Sequence, residues 1–256
     1  MVINQNNKIS NSKFTVLTAI FGNYDIIREP ETIYPNTNYI CITDNPYLKS
    51  KTWKIIVDTK NIDSSWSPRK KTYFVRYHPF NYCNSDYCYW IDSAIKILNV
   101  DFENISKNDL IYFHGIELKT YIKDYILKWD VNLDTKYDYT NMYTKFISAK
   151  YTLDLLYKEF NKDLNKPFYH INGCFRGYKN SDFIKLKLIE IYEYLLKHVE
   201  YPENIEFHDD ILYFDEGIAG VILDKIPANK LDFNTMLKNK NNMIFYNHNS
   251  FTERPL

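Results

Sequence analysis

The chain has 256 residues, and its 32 Lys and Arg balance 32 Asp and Glu for a formal charge of zero. That length supports one large domain with a proper core, and the missing basic excess argues against a nucleic-acid binder. No apolar run approaches the ~18–20 residues needed to span a bilayer.

The first residues, Met-Val-Ile-Asn-Gln-Asn-Asn-Lys, are polar and lack a signal-peptide core. A disordered stretch over 1–12 and a cytoplasmic location are therefore expected, with peripheral association with a membrane left open. Cys41, Cys83, Cys88 and Cys174 form no Cys-x-x-Cys pair and have no His at zinc spacing, so they read as reduced structural thiols.

Lys13 to Ile20 is mostly apolar and rich in β-branched residues, the pattern of a buried strand. Phe-Gly-Asn-Tyr-Asp (21–25) turns it into a loop. A second strand, 38–43, stops at Asp44-Asn45-Pro46, and 53–57 reads as a third. Pro68 opens a helix, Pro-Arg-Lys-Lys-Thr-Tyr-Phe-Val-Arg-Tyr, at a position where its missing N–H costs nothing.

The run Tyr-Cys-Tyr-Trp-Ile-Asp-Ser-Ala-Ile-Lys-Ile-Leu (87–98) reads as a strand ending at Asp92, then a shorter one. Alternating strand and helix patterns through residue 100 predict an α/β fold with a parallel or mixed sheet. Helical periods follow over 119–129 and 141–160. The clearest spans 182–198, where Ile184, Leu188, Ile191 and Leu195 share one face and Ser181 or Asp182 can cap the start. No repeat or linker divides the chain. It reads as one domain over 1–256, with a nucleotide-binding half at 13–100 and an acceptor- and sugar-binding half at 101–256.

A carboxylate at the carboxyl end of a buried strand sits where open α/β sheets bind ligands, which singles out Asp92; a plain turn Asp is the alternative. Thr18, Ala19, Phe21, Gly22 and Tyr24 end at the same kind of edge, and Asp44 could accept from a base N–H. Each could equally be a loop residue after a strand. Arg69, Lys70 and Lys71 could meet a diphosphate or simply be a solvated helix start. Basic residues there oppose the helix dipole, which favours a bound anion.

Tyr169 to Gly177 is expected to join a strand to the clear helix through two glycines, with Asn172 offering a donor and an acceptor to sugar hydroxyls. Phe-His-Asp-Asp-Ile-Leu (207–212) opens the next helical run and is either functional or an N-cap cluster. His248 follows a strand-like Asn-Met-Ile-Phe and is either functional or a surface residue.

Taken in order, these segments resemble a GT-A-type glycosyltransferase. The nearest resemblance is to the glycosyltransferase-like domains of bacterial polysaccharide loci, capsule among them, and of plant mucilage-related proteins. It rests on Thr18 to Asp25 (Thr-Ala-Ile-Phe-Gly-Asn-Tyr-Asp), Thr43 to Asn45, Trp53, Arg69 to Lys71 and the Trp-Ile-Asp of Trp90 to Asp92. The second half is similar to family-eight, glycogenin-like transferases. Their Asn-x-Gly segment is matched by Ile171-Asn172-Gly173-Cys174, their Asp-Gln-Asp-Ile-Leu run by His208-Asp209-Asp210-Ile211-Leu212, and their C-terminal metal-binding His by His248. Two departures stand out: the Asp-x-Asp metal motif is here Asp92-Ser93-Ala94, and Asp209 replaces the Gln.

The resemblance implies a GT-A-like, mostly parallel sheet flanked by helices, with a helix-rich second half. It implies transfer of a sugar from a nucleotide-diphosphate donor, UDP-linked, to a glycan or lipid-linked acceptor. Thr18, Ala19, Phe21, Tyr24, Asp44 and Ser93 would hold the nucleotide, and Lys70 or Lys71 the diphosphate. Asp92 with His248 would hold Mn²⁺ or Mg²⁺. His114, Asn172, Gly173 and His208 would meet the sugar, and Asp209 and Asp210 would act as general base or stabilise oxocarbenium charge. A non-catalytic glycan- or partner-binding relative is the alternative. A hydrolase using Asp209 and Asp210 is disfavoured, because neighbouring residues on a helix do not face each other.

Overall fold

The computed structural model describes residues 12–117, 155, 158–161, 169–198, 215–232, 236 and 242–245. The helix expected over 119–129 and residues 1–11 of the expected disordered stretch lie outside this set. Of the helix expected over 141–160, only Leu155 and 158–160 fall within it, and they are helical.

The first half builds β1 (Phe14–Ile20), β2 (Thr37–Thr43), β3 (Lys54–Val57), α1 (Pro68–Tyr77), β4 (Tyr87–Ile91), β5 (Ile95–Ile97) and α2 (Phe102–Ile105). The second half adds β6 (Leu110–Glu117), β7 (Tyr169–Lys179), α3 (Asp182–Lys197), α4 (Asp215–Ile222), β8 (Ala228–Leu231) and β9 (Met243–Phe245). Seven strands form one sheet in the order β3-β2-β1-β4-β7-β6-β8, while β5 and β9 pair separately. In the large sheet β7 runs antiparallel to both neighbours and every other pairing is parallel. This is the mixed, mostly parallel α/β sheet that the strand pattern and the resemblance imply.

All seven residues of β1 are buried, as expected of a central strand covered on both faces. Its side chains alternate between two cores. Leu17 and Ala19 join Ile40, Ile42 and Trp90 beneath Val75 and Tyr77 of α1, Leu188 and Ile191 of α3, and Ile218 and Ala219 of α4. Phe14, Val16 and Ile20 join Tyr39, Tyr89, Ile91, Ile97, Phe102 and Phe175 on the other side. The Thr15 hydroxyl lies 2.6 Å from Ser85 Oγ, which satisfies a polar group inside the first core layer.

Both clear helices start as their sequences require. Ser67 Oγ accepts from the Lys70 N–H at 3.1 Å, with Pro68 at the first helical position. Ser181 Oγ accepts from the Ile184 N–H at 3.3 Å, and Ile184, Leu188, Ile191 and Leu195 are buried along one stripe. No helix among the described residues is long and apolar enough to cross a membrane. The four cysteines are buried free thiols.

The stretch 169–177 departs from expectation. It is no connection between a strand and a helix but β7 itself, continuing to Lys179. Gly177 sits in the strand because a ring packs on it: a Cβ there would lie 2.5 Å from Tyr89 Cε1 and 3.2 Å from Ile111 Cβ. Gly177→Ala should therefore destabilise the fold by about 1–3 kcal/mol. Urea unfolding followed by circular dichroism measures this, and an unchanged midpoint would contradict the packing.

Candidate active site

The parallel register brings strand tips to one edge. Ile20 pairs with Thr43 and Leu17 with Trp90, so the loops after β1 and β2 and the Asp92 turn leave the sheet side by side. Asp92 is half-buried. Its N–H donates to the Cys174 carbonyl at 2.8 Å, and its Oδ1 accepts from the Ala94 N–H at 3.0 Å. Its Oδ2 has no hydrogen bond among the described residues. Thr18, Arg28, Trp53, Asp92 and Ser93 line one small cavity under this tip. Thr18 Oγ1 is buried there without a hydrogen-bond partner among the described residues.

The neighbouring tips are tied together. Both Asp44 oxygens accept from the Gly22 N–H, at 3.0 and 3.2 Å, and Lys71 Nζ lies 3.5 Å from Oδ2. Lys71 is buried, and its ammonium lies 5.9 Å from the Phe21 ring centroid. Lys70 places its ammonium 4.9 Å from the Trp66 ring centroid. Ala19 and Phe21 pack into the helix-side core, while Tyr24 is exposed. Ser93 Oγ donates to Asp25 Oδ2 at 2.9 Å.

Across from Asp92, β7 bulges. Tyr112 pairs with Arg176 but His114 pairs with Ile171, so two steps along β6 answer five along β7. The four residues Asn172 to Phe175 thus answer to Phe113 alone, and such bulges re-aim groups beside functional sites. Asn172 Oδ1 accepts from the Cys174 N–H at 2.8 Å. The Gly173 carbonyl accepts from Trp90 Nε1 at 3.1 Å, and its N–H donates to Glu216 Oε1. A Cβ at Gly173 would lie 2.9 Å from Glu216 Oε1 and 3.2 Å from Arg76 Nη1, so only glycine lets these two groups close on the strand.

Behind them lies a buried charge network. Asp215 Oδ2 accepts from Arg76 Nη1 at 2.8 Å, from Arg176 Nη1 at 3.2 Å and from the Tyr77 hydroxyl. Arg176 also donates to the carbonyls of Asn172 and Ile171 at 3.1 and 3.0 Å. Burial alone would raise the Asp215 carboxyl, but the guanidiniums of Arg76 and Arg176 and the Tyr77 hydroxyl hold it at about 2. Arg76 lies over Trp90, 4.9 Å from the ring centroid. Burial, and then the carboxylates of Asp92 and Glu216, push the Cys174 thiol well up, so it stays protonated.

The structure thus brings Thr18, Asp92 and Ser93 to one cavity and sets Asn172 and Gly173 beside them. Asp44 and Lys71 meet at the adjoining tips. His114 is on β6 opposite Ile171. His208, Asp209, Asp210 and His248 lie outside the described residues. The sequence reading missed Arg28, Arg76, Arg176, Asp215 and Glu216, and took Asp25 only as part of a motif. One signal was available: Arg176 stands inside Cys-Phe-Arg-Gly-Tyr, where a charge in a buried strand demands a buried partner. Among the described residues no three His, Cys, Asp or Glu side chains cluster to hold a metal.

No family model and no curated protein sequence matches this chain. Among solved structures it is similar to the apo-form glycosyltransferase GlyE of Streptococcus pneumoniae TIGR4, at 14% identity and a TM-score of 0.38, over 86% of this chain and 46% of that one. A second crystal structure of GlyE gives 13% identity and a TM-score of 0.39, over 88% and 47%. The chain therefore spans about half the length of these structures.

Asp215→Asn leaves two buried guanidiniums without their carboxylate, and should cost about 3–5 kcal/mol of stability at pH 7. The folded carboxyl lies at about 2 against an ordinary 3.8, so its contribution is complete above about pH 4 and lost as pH falls toward 2. The gap between wild type and Asp215→Asn should accordingly narrow over that window in pH-dependent urea melts. A gap independent of pH would refute the ion pairing.

Proposed function

We propose that this chain is a GT-A-type glycosyltransferase that moves a sugar from a UDP-linked donor to a glycan or lipid-linked acceptor in surface polysaccharide synthesis. The observation that carries the reading is the Asp92 carboxylate. It stands at the carboxyl end of a central parallel strand, half-exposed, with Oδ1 held by a backbone amide and Oδ2 open among the described residues. Open α/β sheets bind their ligands outside such strand ends.

In this reading the nucleotide lies along the tips of β1 and β2. Thr18, Ala19 and Phe21 offer backbone, Tyr24 an exposed ring, and Asp44 an acceptor edge. Lys70 and Lys71 stand on the diphosphate side, where α1 begins. An acceptor oxygen with no cationic partner suits a hard divalent ion. Asp92 and His248 would hold Mn²⁺ or Mg²⁺, which when bound offsets charge on the leaving diphosphate.

The sugar would lie against the β7 bulge. Asn172, His114 and His208 offer polar groups, and Gly173 lets Glu216 and Arg76 close on the strand beside them. Glu216 supplies a carboxylate on the sugar side, and Asp209 and Asp210 precede α4 by six and five residues. One of these carboxylates takes the proton of the acceptor hydroxyl or stabilises oxocarbenium charge.

A second reading, a binding protein of the same fold, is favoured by one observation. Residue 94 is Ala, so no second carboxylate follows Asp92. Donor hydrolysis separates the two: an enzyme slowly releases UDP from a donor in water, and a binding module releases none. Calorimetry of UDP with Mn²⁺ should show binding that Asp92→Ala weakens by about tenfold or more. Equal affinity in wild type and variant would take Asp92 out of the site.

A further inference from the structure

Two charged side chains near the Asp92 turn play no part in the reading above. Asp25 and Arg28 follow β1 in the chain, and their side chains are 0% and 1% exposed. Arg28 Nη1 donates to Asp25 Oδ1 at 2.8 Å, to the Ile26 carbonyl at 3.1 Å and to the Ser93 carbonyl at 2.6 Å. Asp25 Oδ2 accepts from Ser93 Oγ at 2.9 Å. The pair therefore grips Ser93 twice, once by its backbone and once by its hydroxyl. The Arg28 carbonyl is itself held by Trp53 Nε1 at 3.0 Å.

We infer that Asp25 and Arg28 are positioning residues that act through Ser93 to aim the Asp92 carboxylate. The inference rests on the reading of Asp92 as the cation-holding group. Every residue of the turn is pinned. Asp92 is tied to Cys174, Ser93 to Asp25 and Arg28, and Ala94 and Ile95 to Asp92 itself. The Ser93 carbonyl held by Arg28 belongs to the peptide that joins Ser93 to Ala94, and the N–H of that same peptide donates to Asp92 Oδ1, so fixing it orients the carboxylate and sets where Oδ2 points. Stability alone gives a poor account of the pair, because well-packed apolar residues would fill the same space without burying two charges. The pair is neutral as a unit, so it fixes the turn without repelling a divalent ion.

Mn²⁺ titrated calorimetrically into protein saturated with UDP tests this. Ser93→Ala should weaken Mn²⁺ binding about tenfold, and Ser93→Thr, which keeps the hydroxyl, should restore it. Asp25→Asn should produce the same loss, and the double variant Asp25→Asn/Ser93→Ala should be no weaker than either single one. Ser93→Ala should still melt cooperatively, at a lower temperature than wild type because the buried Asp25 Oδ2 loses this donor. Wild-type Mn²⁺ affinity in a folded Ser93→Ala protein would overturn the inference. So would a loss in Ser93→Ala that Asp25→Asn does not share, since Ser93 would then touch the ion directly. If Asp92→Ala binds Mn²⁺ as wild type does, the reading of Asp92 fails first and the positioning role falls with it. If Asp92→Ala loses binding while Ser93→Ala keeps it, only the positioning role fails.

Discussion

The parallel hydrogen bonding of β1 on both of its edges is the constraint on which the rest depends. Parallel neighbours share a direction, so the segments that follow β1, β2 and β4 must all leave from the same edge of the sheet. Residues far apart in the chain, Gly22, Asp44 and Asp92, are delivered to one rim by that ladder alone. An antiparallel partner for β1 would have sent one of these loops to the opposite edge. β7 provides the single reversal in the large sheet. By running antiparallel to β4 it lays its bulged middle, and not its end, against Asp92.

The helix layer then decides what surrounds that rim. α1 and α4 pack on the same face of the sheet, and each carries a charge inward. Burying two guanidiniums and a carboxylate is costly unless each is paired and hydrogen-bonded. Here Asp215 takes both arginines, and Arg176 spends its remaining donors on carbonyls of the bulge. The network holds the start of α4 against β7, which sets Glu216 on the Gly173 amide. A second ion pair, Asp25 with Arg28, does comparable work on the other side of Asp92. The half-exposed carboxylate is thus framed by two buried charge clusters of different origin.

Much of the fold was legible from local patterns. Uninterrupted apolar runs marked β1 and β2, an aromatic run ending in an acid marked β4, and spacings of four, three and four marked the buried stripe of α3. Each signal lies within one element, so backbone periodicity and capping chemistry suffice to read it. The stretch 169–177 misled for the same reason. Two glycines and an Asn look like a connection locally, but the glycines answer to neighbours: Tyr89 across the sheet, and Glu216 with Arg76 from the helices.

The sequence by itself determined β1 to β5, the clear helices α1 and α3, and the placing of Asp92 at a strand's carboxyl end. Only the tertiary structure decided the company it keeps: the β7 bulge opposite, the grip of Asp25 and Arg28 on Ser93, and the meeting of Arg76 and Arg176 on Asp215. Those partners are separated by between 39 and 139 residues. A buried charge needs a counterpart in space, and no period or spacing along the chain records where that counterpart will be found.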